Sequence, residues 1–262
     1  MTKELPSVSQ EAVETTDFLQ HACNVALHTV LGELRLGMSE ADLEAGIRSE
    51  LAQLGVVDYW YDVPIMVLAG SGRFLDMTND DYESKSPSTD VQVHTGDPVF
   101  VDIHPRSENG RWGNYARTFV VNPTQNDQLL MLGRMRDIQM SGIKMMPHMK
   151  TTLDLANYYG RELRQMQIEL VDVRGNFGHN MGSGEKKAFT GRTFIDDETM
   201  VPLVDQIWGV EPGGFKTFGS RIVVARFEDC VHVANHSALM LGGTEQFNPN
   251  LIVNAKRHSK PR

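Results

Sequence analysis

Five side chains able to bind a metal ion fall in four short segments of this 262-residue chain, each apolar or flanked by glycine. Asp102 and His104 close the run Val99-Phe100-Val101-Asp102-Ile103-His104. His179 stands in Phe177-Gly178-His179-Asn180-Met181-Gly182, Glu211 in Gly209-Val210-Glu211-Pro212-Gly213, and Glu228 in Arg226-Phe227-Glu228-Asp229. Carboxylates seldom sit among buried apolar residues unless they are paired or hold a cation. Side chains two apart on a strand share a face, so Asp102 and His104 point the same way. With His179 they resemble a mononuclear centre of two His and a carboxylate, a donor set suited to a divalent first-row metal. Taken singly, each also has a plain structural reading: a strand Asp in a salt bridge, a His beside a turn, a Glu before Pro in a loop. Cys230 and His232 share the face of Glu228 if that strand is regular, and read as lining or core residues. Trp60, Tyr61 and Trp112 are aromatics that line the site or fill the core.

The elements that must position these residues follow from periodicity. Glu11 to Leu34 has helical apolar spacing, through Phe18, Leu19, Ala22, Val25, Ala26 and Val30. A second helix starts at Ser39, with Asp42 as the acidic partner of a capping box, and Gly55 closes it. Tyr59 to Leu68 reads as a strand containing Pro64, which disfavours a central position. Residues 70–92 are rich in Gly, Ser, Asp and Asn and read as a long functional or mobile loop. Turns at Gly96-Asp97 and Asn109-Gly110 bracket the strands Pro98 to His104 and Tyr115 to Val121, which form a hairpin. Helices follow from about Asp127 to Lys144 and after Thr151, whose partner Asp154 makes a second capping box. Strands return at Ile207 to Glu211, Arg221 to Phe227 and Cys230 to Val233. This order predicts an α+β domain with helices packed on a curved antiparallel sheet. It spans residues 10–255, with 1–9 and 256–262 as flexible ends.

Composition bounds the function. The net charge of −9 argues against a nucleic-acid partner, which would favour a basic face. No apolar run approaches the length of a membrane span and the first ten residues lack the apolar stretch of a secretory signal, so a cytoplasmic protein is expected. Cys23 and Cys230 form no CxxC pair and read as reduced, buried thiols.

Asp102, then His179 in a GHxxG setting, then Glu211-Pro212, then Phe227-Glu228-Asp229 resembles the methionine aminopeptidase, prolidase and creatinase superfamily. Gly37-Met38-Ser39 at a helix start and Arg117-Thr118-Phe119 after the hairpin are similar too. The resemblance spans nearly the whole chain and implies a pita-bread fold with a divalent metal centre. The separate N-terminal domain of prolidases and creatinases is not expected here. The short gap between the two Glu-bearing strands is closer to the creatinase and prolidase branch.

The chain departs from the superfamily at several positions. The family's second metal-bridging Asp aligns with Asn114, whose amide offers one neutral acceptor oxygen and cannot bridge two metals in the same way. One metal per chain, iron or manganese, is therefore expected in place of two, with His104 as an added ligand and Asn114 assigned to substrate binding. Lys186 stands where the peptidases carry a His, seven residues after the ligand His179, and is suited to holding a substrate carboxylate as a point charge. Glu185, six after His179, matches the catalytic carboxylate of a sulfur-compound lyase of the superfamily; its plain reading is a solvated loop Glu beside Lys186 and Lys187. The resemblance thus implies a metal-dependent hydrolase or lyase acting on a small non-peptide substrate, with oxidation at a mononuclear iron a further possibility and a homodimer the assembly to expect. The alternatives are an aminopeptidase or Xaa-Pro dipeptidase, and an inactive binding module on the same fold.

Overall fold

The first two helices form where caps and apolar spacing predict. Helix α1 (Gln10–Glu33) starts at Ser9, whose hydroxyl accepts from Ala12 N. Helix α2 (Glu40–Gln53) starts with a complete capping box: Ser39 Oγ accepts from Asp42 N at 3.1 Å, and Asp42 accepts from Ser39 N at 2.8 Å. These bonds satisfy amides that the helix itself cannot. The computed structural model describes residues 5–75, 86–172, 175–182, 192–246 and 252–256. A short helix α3 (Ser71–Leu75) opens the polar stretch that reads from sequence as loop alone. Helices α4 (Asn126–Met145) and α5 (Thr152–Met166) follow the hairpin, and Thr151 with Asp154 makes the second capping box. Among the described residues no helix is long and apolar enough to cross a membrane.

The strands, in chain order, begin with β1 (Asp58–Tyr59), β2 (Ile65–Ala69), β3 (Pro98–Ile103), β4 (Pro105–Arg106) and β5 (Tyr115–Val121). After the helices come β6 (Glu169–Leu170), β7 (Gly178–Asn180), β8 (Gln206–Val210) and β9 (Gly213–Phe218). The last are β10 (Arg221–Ala234), β11 (Ser237–Met240) and β12 (Ile252–Val253). The main sheet runs β2-β3-β5-β10-β8-β7, antiparallel throughout that path.

Three expectations need correction. Tyr59 to Leu68 is two strands and not one, because Pro64 has no N–H for a ladder and β2 starts just after it. Arg221 to Val233 falls within one strand, the 14-residue β10 (Arg221–Ala234), and not two. It reads as two because Glu228 and Asp229 interrupt the apolar pattern, although both are buried. Strand β8 ends at Val210, so Glu211 lies just beyond it.

Strand β10 organises the fold because it pairs in turn with β9, β5 and β8 along its length. Its two faces have different roles. One carries Arg226, Glu228 and Cys230 by alternation, the other Phe227 and Asp229. On the second face Asp229 is fully buried and takes Arg117 Nη2 and Arg136 Nη1 on its two oxygens, each at 2.6 Å. Arg136 lies on α4, and Gln139 one turn on donates to the carbonyls of Val210 and Phe227. The helix is thereby tied to the strands that carry the candidate site. The largest core cluster lies between the helices and the sheet, built from α1, α2, α4 and α5 against β2, β3, β5, β8 and β10.

Candidate metal centre

Two cross-strand rows bring the sequence candidates together. Asp102 on β3 and Glu228 on β10 are both register partners of Ala116 on β5. Directly opposed residues share a sheet face, so the two carboxylates flank one small methyl group. In the second row, His179 on β7 and Cys230 on β10 are both partners of Gly209 on β8. A Cβ at Gly209 would lie 3.0 Å from Asn114 Nδ2 and 3.2 Å from Met181 Sδ, so only glycine leaves the row uncrowded. Asp102, His104, His179, Glu211 and Glu228 are all buried.

Both histidines are oriented alike. His104 Nδ1 is 3.2 Å from the carbonyl of Val63, and its Nε2 is 3.0 Å from Asp102 Oδ2. His179 Nδ1 is 3.0 Å from the carbonyl of Asn180, and its Nε2 is 3.9 Å from Glu211 Oε1. A backbone carbonyl beside Nδ1 sets the ring's orientation and leaves Nε2 facing the carboxylate. Burial holds His179 well down, at about 4, so its ring is neutral at physiological pH.

The charges are unevenly matched. Arg226 Nη2 donates to Glu211 Oε2 at 2.8 Å, and Arg226 Nε lies 2.6 Å from Glu228 Oε1. Burial, the largest single influence, pushes the Glu211 carboxyl up, but Arg226, by charge and hydrogen bond, together with His179 outweighs it and holds Glu211 below its usual value. Glu228 goes the other way: burial, the Asp102 charge and the Glu211 charge push it well up despite Arg226. Glu228 Oε1 is buried, and its contact with Arg226 Nε is an ion pair without hydrogen-bond geometry among the described residues. One guanidinium thus faces a cluster of three buried carboxylates, an excess of negative charge that a divalent cation neutralises.

The residues fit such an ion by donor type, charge and histidine orientation. They are not drawn in around one point: among the described residues, no group of three His, Cys, Asp or Glu side chains stands ready to hold a metal ion. Arg226 lies between Glu211 and Glu228 instead.

The expected aromatics form one wall. Trp60 stacks on Trp112 with ring centres 5.1 Å apart and on Tyr61 at 4.2 Å. Tyr61 meets the His104 ring edge-on at 4.3 Å, and Trp60 is 6.0 Å from the His179 ring. Arg192 covers this stack, 4.3 Å above Trp60, and donates to Tyr61 Oη at 3.0 Å. Asn114 is buried beside Gly209, and its Nδ2 makes no hydrogen bond among the described residues. Cys230 is buried and its thiol reaches the Asn114 carbonyl at 3.7 Å. Glu185 and Lys186 lie outside the described residues. Sequence reasoning gave no role to Ala116, Gly209, Arg192 or Arg226. Of these, Arg226 carried a signal, since it sits two before Glu228 and so on its face.

The model of metallopeptidase family M24 matches residues 18–235. No curated protein matches the chain by sequence. Its fold is similar to that of the dipeptidase PepE from Mycobacterium ulcerans, with a TM-score of 0.74 at 20% identity over 94% of this chain and 61% of that one. The Xaa-Pro dipeptidase from Bacillus anthracis gives 0.74 at 16% identity over 94% and 64%. Methionine aminopeptidase from Thermotoga maritima gives 0.71 at 18% identity over 91% of this chain and 99% of that chain. The chain thus spans less than two thirds of the two dipeptidases and almost all of the aminopeptidase. The half-closed antiparallel sheet with its covering helices is the pita-bread fold of the methionine aminopeptidase, prolidase and creatinase superfamily, and the chain belongs to metallopeptidase family M24.

Proposed function

We propose that the chain is a metal-dependent hydrolase or lyase acting on a small non-peptide substrate, with one divalent ion, iron or manganese, per chain. The observation that carries this reading is the matched pair of histidines, each with Nδ1 on a backbone carbonyl and Nε2 turned towards a carboxylate, Asp102 or Glu211. Asp102, His104, His179, Glu211 and Glu228 would hold the ion. When bound it would polarise a substrate carbonyl or carboxylate, or activate a water.

The chain's own residues supply the rest. His179, neutral down to about 4, keeps its lone pair available at physiological pH. The Trp60, Tyr61 and Trp112 wall, capped by Arg192, packs against the His104 and His179 rings and keeps water from that side of them. Asn114 turns an amide donor into a place where the superfamily carries a charged carboxylate, which favours a substrate acceptor atom over a second metal. Glu185 is assigned as the general base and Lys186 as the contact for a substrate carboxylate, both on their distance from His179 in the sequence. A lysine ammonium, with its high reference pKa, is a poor proton shuttle near neutral pH.

The test is a peptide panel on the manganese- or iron-loaded chain. Xaa-Pro dipeptides and Met-peptides should turn over far more slowly than about 1 per second, the lower end of ordinary enzyme rates. Faster turnover that a chelator removes would make the chain a peptidase and overturn the assignment of a non-peptide substrate.

A further inference from the structure

Arg226 is the one cation among the described residues that reaches both Glu211 and Glu228. Its other terminal nitrogen, Nη1, lies 3.6 Å from Asp172 Oδ2, outside the two rows of candidate ligands. Asp172 is itself held in place, since its Oδ1 accepts from Asn176 Nδ2 at 3.0 Å. The backbone of Arg226 is pinned in both directions by Thr118, whose hydroxyl donates to its carbonyl at 3.1 Å and accepts from its N–H at 2.9 Å. The strand is therefore fixed, and movement is left to the side chain. The stem of that side chain packs closely against a glycine. Arg226 faces Gly213 across the β9–β10 ladder, and a Cβ at Gly213 would lie 2.9 Å from Arg226 Cγ and 2.8 Å from Val171 Cγ1.

We propose that Arg226 is a positioning residue of the metal centre, holding Glu211 and Glu228 in the absence of the ion and yielding them to it by moving its charge onto Asp172. The inference rests on the reading that Glu211 and Glu228 are ligands. Its physical basis is competition. A guanidinium and a divalent ion cannot both occupy the space between the same two carboxylates, because like charges repel strongly where water is excluded. A cation that only stabilised the fold would need no third carboxylate behind it. Here Asp172 provides one, along the same side chain and close enough to receive the displaced charge.

Mn²⁺ alone is the probe, titrated by calorimetry into the metal-free 262-residue chain, with melting curves taken with and without the ion. Arg226→Gln removes the competitor. It should melt lower than wild type when metal-free, regain most of that loss on adding Mn²⁺, and bind the ion about tenfold more tightly, the scale of changes just outside a metal's ligands. Arg226→Lys keeps the charge but only one nitrogen in place of three, so it should fall between wild type and Arg226→Gln in both measurements. Asp172→Asn leaves Arg226 no carboxylate to move to, so its metal-free melting should change little while Mn²⁺ affinity falls about tenfold. This second variant decides the matter if Arg226→Gln does not fold. Unchanged Mn²⁺ affinity in Asp172→Asn, or an equal melting loss with and without Mn²⁺ in Arg226→Gln, would overturn the proposal while wild-type binding stands. A wild-type chain that binds no Mn²⁺ would overturn the ligand assignment and this inference with it.

Discussion

His179→Ala is expected to strip the chain of metal and abolish turnover while leaving the fold in place. The ring is buried, its Nδ1 is committed to the Asn180 carbonyl, and its Nε2 is the nitrogen turned towards Glu211. Changes to residues just outside a metal's ligands cost roughly 10- to 100-fold in affinity, so loss of a ligand should cost about 100-fold or more. The fold should survive because β7 is held by backbone bonds: Asn180 N donates to the Thr193 carbonyl at 2.9 Å and Met181 N to the Ile207 carbonyl at 2.8 Å. The substitution carries a second signature. Burial holds the His179 pKa at about 4 against its ordinary 6.5, so between those values the unfolded chain takes up a proton that the folded chain does not. His179 therefore adds stability as pH rises across that window, while Glu228, held well above its ordinary value, acts in the opposite sense, so His179→Ala should lower the slope of that part of the metal-free profile. Elemental analysis and melting curves from pH 4 to 7 read both effects. Full metal occupancy in the variant would make His179 a structural residue.

Asp229→Asn should cost about 3–5 kcal/mol of stability, the scale for breaking a buried ion pair from one side. Asp229 is fully buried with a guanidinium on each oxygen. Burial pushes its carboxyl up, but Arg117 and Arg136 outweigh it and hold it below its usual value. Asparagine keeps the shape and removes the charge, which leaves two buried cations facing a neutral amide. In a chain of this size the melting temperature should fall by roughly 5–10 °C. Arg117 also donates to the carbonyls of Ala116 and Glu228, so its release should loosen the row that carries Asp102 and Glu228. A loss below about 1 kcal/mol in a denaturant titration would show that the triad contributes little beyond a surface pair.

Much of this arrangement is legible in the sequence where one local rule acts alone. Ser39 with Asp42 and Thr151 with Asp154 announce helix starts, because a cap needs only side chains three residues apart. The shared face of Asp102 and His104 follows from strand alternation, and the 3.0 Å contact between them bears it out. What is illegible depends on register between distant strands. Nothing in the sequence says that Ala116 will sit between Asp102 and Glu228, or Gly209 between His179 and Cys230, since those rows are set by how β3, β5, β7, β8 and β10 align. The three-residue strand β7 is too short for any periodicity to mark it. Strand β10 is buried on both faces and carries charges on both, so it lacks the alternation that would have shown it to be one element. Arg226 stands in the segment that drew attention to Glu228, yet its reach to both Glu211 and Glu228 appears only in three dimensions.

Metal content tests the central claim most directly. The chain would be reloaded with Mn²⁺ or Fe²⁺, desalted and analysed for metal and protein together. About one divalent ion should be retained per chain, because Asn114 replaces a bridging carboxylate while Asp102, His104, His179, Glu211 and Glu228 stay available as ligands. A reloaded chain that retains no ion would contradict the metal centre itself, and two tightly held ions would contradict the single-metal reading drawn from Asn114.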